Sequence, residues 1–431
     1  MNRRAFLRQA SVGLAACLPA RLRAASRPDF SAEAATWRRL LADRVLPWWL
    51  RETVDPAAGG YRLAHDAVQG AQVPSEKQVV TQARLVWGFS RAHREKLGGP
   101  ARDYLAAAAH GVKFLRERLR DPRHDGYYWS THPDGSVLDS RKRVYGQAFV
   151  IYGLVEYFRA SGDRGALDEA RHLFGLLQRR AHDAPAPGWA EHFEADWTPM
   201  PPRDPGAIVE VAGLKSANTH LHLMEAFTEL FLETRDPAVR RALEESLRLN
   251  QRHFYPADPA RSAFHFERDW KPVTEPSSAG LSYGHNVEFA WLMIRAEEAL
   301  GHRPSWRHFH AHLEHALRCG TDRVRGGVYQ RGEGNLPATD TRKVWWVQAE
   351  MLAALTDGLR HQPGHQAYSG ALELLVRFID AHLTDPGTGV WLDTVSSEGR
   401  PLATGLAHPW KGNYHDVRGM LKFIRQFGQR S

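Results

Sequence analysis

The chain has 431 residues, 43% hydrophobic and 25% charged, the proportions of an ordinary globular protein with ample material for a large core. Its formal charge of +8 owes most to a leader holding Arg3, Arg4, Arg8, Arg21 and Arg23 and no acid; taking these five from 57 leaves 52 basic residues against 49 acidic ones. So small an excess makes no directed basic field, and no basic run is interleaved with aromatic residues, which excludes a nucleic-acid-binding groove.

In the leader, paired arginines precede Phe6 and Leu7, followed by the modestly apolar run QASVGLAACLPA and small residues near Ala24. This is the pattern of a twin-arginine export signal over residues 1–25, so a soluble periplasmic protein cut near Ala24 or Ala25 is expected. The run is too short to anchor the chain as a bilayer span. A rival reading takes Leu14, Ala15, Ala16 and Cys17 as a lipoprotein box with Cys17 lipidated. After cleavage near Ala24 only Cys319 remains, so no internal disulfide can form, and its helical context predicts a buried structural thiol.

From about residue 32 a single motif recurs six times at intervals of about 65 residues: a turn rich in Asp, Pro and Gly leading into a short aromatic strand. The copies begin at Asp55, Asp121, Ala186, Asp258, Asp322 and Asp385. A period of this length means one supersecondary unit copied around a ring or solenoid. Between the turns lie two kinds of helical stretch. Ala35 to Leu50, Asp103 to Leu119, Leu167 to Arg180, Ala238 to His253, Trp306 to Cys319 and Tyr368 to Leu383 have one apolar stripe and belong on the outside. The others begin near Lys77, Lys142, Lys215, Tyr283, Lys343 and Lys411 and are apolar nearly all round, as buried helices are. Six helical hairpins, each with a short β turn, predict an all-α (α/α)6 barrel over residues 26–431, with the inner helices opening their N-termini onto one face.

The inner helices carry their own repeat: Lys77, Lys142 and Lys343 are each followed five residues later by Gln82, Gln147 and Gln348. Lys77 and Lys142 are expected to cap or bridge within the scaffold. Other positions near the same helix starts differ from copy to copy, and these are the candidates for chemistry. The third inner helix has Asn218 and His222 on one face, with His220 about 200° away from His222, so the two histidines cannot chelate one metal. The fourth has His285 and Glu288 three apart, the fifth Trp346 and Glu350 four apart. The sixth offers Trp410, Lys411, Tyr414, His415 and Arg418, while Arg84 and Tyr145 come from the first and second.

Three histidines, two glutamates, an arginine and several aromatics around one mouth suit a sugar, whose C–H faces stack on Trp while its hydroxyls bond to polar groups. Histidines on opposite sides of a sugar carbon could remove a proton and return one to the other face, with carboxylates fixing their tautomers. His308, His310, His312 and His315 crowd one outer helix and read as a solvated polar face.

The segments EKQVVTQARLVWGFSRA, RVYGQAFVIYGL, EHFEADWTP, KSANTHLHLMEAFTEL, GHNVEFAWLM, KVWWVQAEM and PWKGNYHDVRGM together resemble the N-acylglucosamine 2-epimerase superfamily, most closely its cellobiose 2-epimerases. The resemblance implies cofactor-free, metal-free epimerisation at C2 of a reducing-end glucose or mannose unit through a cis-enediolate. It implies His285 and His415 as the acid/base pair, His222 assisting ring opening with Glu288 and Glu350 in support, and Arg84 stabilising enediolate charge. Tyr145, Asn218, Trp346 and Trp410 would line the substrate, with Trp410 the stacking surface. The chain departs from the cellobiose enzymes in carrying Gly412 and Asn413 where they have Cys and Pro. Aldose-ketose isomerases of the superfamily share the histidines, so a ketose product is an alternative outcome. A second alternative is a periplasmic glycoside hydrolase or uronate lyase using Glu288 and Glu350 on the same barrel. The expected partner is a small sugar, with the protein a monomer or homodimer.

Overall fold

The computed structural model describes residues 29–98, 103–273 and 280–428. The leader, with the expected export signal and Cys17, lies outside them. Among the described residues no helix is long and apolar enough to cross a membrane.

Among the described residues twelve helices alternate between an outer and an inner ring. Outer helices span 31–53, 104–119, Arg164–Arg180, 237–254, Trp306–Cys319 and 366–383. Inner helices are Val79–Arg94, Val144–Ser161, Ala217–Thr234, Tyr283–Leu300, Trp345–His361 and His415–Phe427. The inner helices are buried on nearly every face, as their composition requires: in the second, Val144 through Glu156 are all buried. The outer ones bury one stripe, such as Ala166, Leu167, Ala170, Leu173, Phe174 and Leu177 of the third.

Each lysine of the repeat lies just ahead of its inner helix, not in the helix itself. Lys77–Gln78 pairs antiparallel with Ser130–Thr131, Lys142–Arg143 with His192–Phe193, Lys215–Ser216 with His265–Phe266, Leu281–Ser282 with Arg331–Gly332, and Lys343–Val344 with Thr394–Val395. Every pairing ties the entry of one inner helix to the strand after the next turn. The sixth joins Gly405–Ala407 to His65–Asp66 and so closes the ring between the two ends of the chain. In that last copy the helix starts later, at His415, because Lys411 folds back to bridge His408.

The repeated residues do the stapling. Lys77 Nζ lies 2.8 Å from Asp55, Lys142 Nζ 2.7 Å from Asp121 and Lys343 Nζ 2.9 Å from Asp322, all six side chains buried or nearly so. The glutamines clamp the aromatic strand: Gln82 Oε1 accepts from Tyr61 N at 2.8 Å and its Nε2 donates to Tyr61 O at 2.9 Å. Gln147 does the same to Tyr127 and Gln348 to Val328. A side-chain amide has both a donor and an acceptor, so it completes a buried backbone pair that no ladder reaches. In the third copy His220 takes the glutamine's place, accepting from Trp189 N at 3.2 Å while its Nδ1 faces Ser216 O at 2.8 Å. His220 is therefore a scaffold residue, pointing away from His222 as the geometry of the helix requires.

Two expectations about the outer ring are corrected. His312 and His315 are buried and His308 partly so, and the face is not solvated. His308 and His312 meet Tyr255 O and pack on the Phe289 ring, and His315 meets Gly334 O beside the Tyr283 ring, so each imidazole keeps one hydrogen bond to a backbone carbonyl. Cys319 is only partly buried, its Sγ 3.6 Å from Asn335 O at the end of its helix.

Candidate active site

The barrel mouth at the N-terminal ends of the inner helices holds a cavity of about 180 Å³. It is lined by Arg84, Tyr145, Asn218, His222, His285, Glu288, Trp345, Trp346, Trp410 and His415. Nine of these ten are the residues singled out above; only Trp345 is new. The tenth predicted residue, Glu350, does not reach the cavity and stands behind His415.

The register of the inner helices explains the convergence. Counting seven residues on from Lys77, Lys142, Lys215, Leu281, Lys343 and Lys411 gives Arg84, Phe149, His222, Glu288, Glu350 and Arg418. This is one level of the barrel with one side chain per helix, all pointing inward. The Arg84 guanidinium lies 4.1 Å from the Phe149 ring centre, and that ring is 4.7 Å from His222. On the other side Arg418 Nη2 donates to Glu288 at 2.9 Å and to Glu350 at 2.8 Å. His285 and His415 occupy the fourth position instead, one turn nearer the mouth.

The three histidines have different second partners. His415 Nδ1 lies 2.6 Å from Glu350 Oε1, and His222 Nδ1 lies 2.9 Å from Glu225 Oε2. His285 Nδ1 is buried with no protein hydrogen bond. His285 and Glu288 share a helix face but are not hydrogen-bonded to each other: Glu288 turns to Arg418, the stronger partner for a buried carboxyl. Glu225 and Trp291, whose Nε1 donates to Glu350 at 2.9 Å, were not anticipated. Glu225 could have been, since it follows His222 by the same three residues that link His285 to Glu288.

Burial lowers all three imidazoles, carrying His285 and His415 down to about 3. The carboxylates beside His415 and His222 oppose that shift without reversing it. Neutral imidazole, able to accept a proton, is therefore the resting form. Burial alone would protonate Glu350 too, but Arg418 and His415 outweigh it and hold this carboxyl down to about 2. Burial and the neighbouring Glu350 charge push Glu288 well up, making it the more readily protonated of the pair. Glu288, Glu350 and His415 could in principle gather a metal ion, their ligand atoms lying within 4.8 Å of one another. Here the donor set is turned on itself, because Arg418 takes both carboxylates and Glu350 takes the imidazole.

Arg418 and Glu225, hydrogen-bonded to each other, also line a second cavity of about 270 Å³ at the opposite end of the barrel. Arg84 Nη2 donates to Tyr145 Oη at 3.0 Å, and among the described residues this guanidinium is the one cation lining the mouth cavity.

Residues 59–418 match the N-acylglucosamine 2-epimerase (GlcNAc 2-epimerase) family. The chain belongs to this family. It is 28% identical to a cellobiose 2-epimerase of Dictyoglomus turgidum across 90% of this chain and 96% of that protein. It is 29% identical to a D-mannose isomerase of Thermobifida fusca over 75% and 80% of the two chains. The solved cellobiose 2-epimerase of Spirochaeta thermophila superposes with a TM-score of 0.82 at 33% identity, covering 92% of this chain and 96% of that one. The protein is thus an enzyme on the (α/α)6 barrel, a carbohydrate epimerase or isomerase. The hydrolase alternative loses its geometry: a glycosidase needs both carboxyls at the substrate, and Glu350 is bound to Arg418 and His415 outside the cavity.

Proposed function

We propose that this enzyme inverts C2 of a reducing-end glucose or mannose unit, with His285 and His415 as the two acid/base groups. The observation that carries the reading is that both imidazoles line one cavity and both pack against Trp346, whose ring centre is 4.8 Å from His285 and 5.8 Å from His415. With the sugar open, one histidine takes the C2 proton and the C2–H pair forms the enediolate double bond, while charge moves to the C1 oxygen. Arg84 faces that charge as a preorganised cation. The second histidine, which must enter this step as the imidazolium with a proton taken from solvent, then delivers that proton to the opposite face of C2, giving the epimer and leaving the first histidine protonated. Proton return to C1 would give the ketose, the D-mannose isomerase outcome. His222, tied to Glu225, is suited to move the ring-opening proton.

The cavity takes one sugar ring. Trp410, 37% exposed, lines both it and an adjoining open cleft of about 700 Å³ with Trp129, Glu76 and Arg141. This continuity favours a substrate with a second sugar unit beyond the reducing end, as in cellobiose or mannobiose. The test is incubation with cellobiose, mannobiose, glucose, mannose and N-acetylglucosamine in D2O, following the C2 proton by NMR. Deuterium at C2 with a new epimer of a disaccharide is expected. Chain shortening without exchange would sink the reading.

The arginine pair and apolar run of the leader support export through the twin-arginine route, with the barrel working in the periplasm. Fractionation and N-terminal sequencing of the mature chain test this. A product beginning at Met1 in the cytoplasm would refute it.

A further inference from the structure

The loop that carries Trp410 is pinned from three directions. His408 Nε2 lies 2.6 Å from Asp393 Oδ2, Thr81 Oγ1 donates to Pro409 O at 2.9 Å, and Lys411 Nζ donates to Gly405 O at 2.9 Å. Of these anchors only His408 also touches Trp410 itself, accepting from its backbone N–H on Nδ1 at 3.3 Å. That N–H can only donate, so Nδ1 is the bare nitrogen and the ring proton sits on Nε2, given to Asp393. The same imidazole meets the edge of Trp345, 5.7 Å between ring centres, and Asp393 O accepts from Trp345 N at 2.9 Å. One histidine-carboxylate pair therefore supports both Trp345 and Trp410, two aromatic walls of the cavity, from outside it.

We propose that His408, oriented by Asp393, is a positioning residue for substrate: it sets where Trp410 stands between the catalytic cavity and the adjoining cleft, and so governs affinity for the second sugar unit. The inference rests on the assignment of Trp410 as a substrate wall. A residue that acts this way moves KM for a disaccharide and spares both kcat and the single-ring sugar, whereas a purely structural residue lowers stability and activity on both substrates together.

The test compares His408→Ala, Trp410→Ala and the double variant on cellobiose and on mannose. His408→Ala is expected to raise KM for cellobiose about ten-fold, the effect of about 1.4 kcal/mol, with kcat and the mannose KM changed less than about two-fold. Because His408 works through Trp410, adding His408→Ala to Trp410→Ala is expected to raise KM no further. His408→Asn, whose side-chain oxygen can accept the same N–H two residues on, is expected to recover part of the loss. An unchanged cellobiose KM in His408→Ala, with Trp410→Ala impaired, overturns this inference alone. An unchanged KM in Trp410→Ala overturns it together with the two-unit substrate reading. Equal losses on both sugars assign His408 to the scaffold and overturn it too.

Discussion

His415 Nδ1 and Glu350 Oε1 are 2.6 Å apart, on the sixth and fifth inner helices, and the carboxylate is held in place by Arg418 and Trp291 on its other sides. A carboxylate so placed fixes which imidazole nitrogen carries the proton and leaves the other to face the cavity. It also stabilises the imidazolium that forms when His415 accepts a proton.

Glu350→Gln keeps the volume but removes the charge. The amide can still meet the ring, yet it no longer favours the protonated imidazole, so kcat is expected to fall about 100-fold or more, within the range of one acid/base group. Steady-state kinetics with thermal melts of the same preparation check this. A kcat within three-fold of the parent, in a folded variant, would remove Glu350 from the proton-transfer apparatus.

His285→Ala and His415→Ala are each expected to lower epimerisation by a factor of about 10³, since either deletion leaves one face of C2 without a proton donor or acceptor. Isotope exchange separates the faces: in a two-base site each variant retains at most exchange from the single epimer whose proton faces the surviving histidine. Full exchange from both epimers in both variants would refute the assignment.

Stability should fall on mild acidification. His220, His285, His312 and His415 are each lowered by burial from the ordinary 6.5 to about 3. Between those two values the unfolded chain binds protons that the fold refuses, so stability is complete above pH 6.5 and is lost as pH drops toward 3. Asp416, raised by burial to about 6, and Glu288, Glu191 and Asp380, raised in the same direction, act in the opposite sense, but His192, His222, His253, His308, His310, His315 and His361 are lowered too and add to the main effect. Urea midpoints at pH 7.5, 6.0 and 5.0 are expected to decrease in that order; a midpoint that stays level would show that these imidazoles are solvated.

Lys142→Met tests the scaffold. It leaves Asp121 buried without its cation, a change that costs about 3–5 kcal/mol, while kcat of the folded fraction should hold. Adding Asp121→Asn should return part of the stability. A collapse of kcat without loss of stability would move the lysine repeat from architecture to chemistry.

The architecture was legible in the sequence because a ring built from one repeated unit writes its period into the chain. The Asp turn, the lysine and the glutamine each satisfy buried polar groups within their own hairpin, and such local needs recur wherever the hairpin recurs. The site residues were legible for a related reason: they sit at fixed distances from the repeated lysines, where the copies stop agreeing. What the sequence could not settle was which side chain holds which. His285 and Glu288 share a face, as their spacing requires, yet Glu288 bonds to Arg418 from another helix and His285 keeps no carboxylate. Glu350 reads as a cavity residue by its position, and the tertiary structure places it behind His415. The outer-ring histidines read as polar surface, yet His312 and His315 are buried against rings of neighbouring elements, Phe289 and Tyr283. Periodicity along one helix fixes a direction, but hydrogen bonds and charges are exchanged across the barrel axis among groups brought together only when Gly405–Ala407 meets His65–Asp66 and the ring closes.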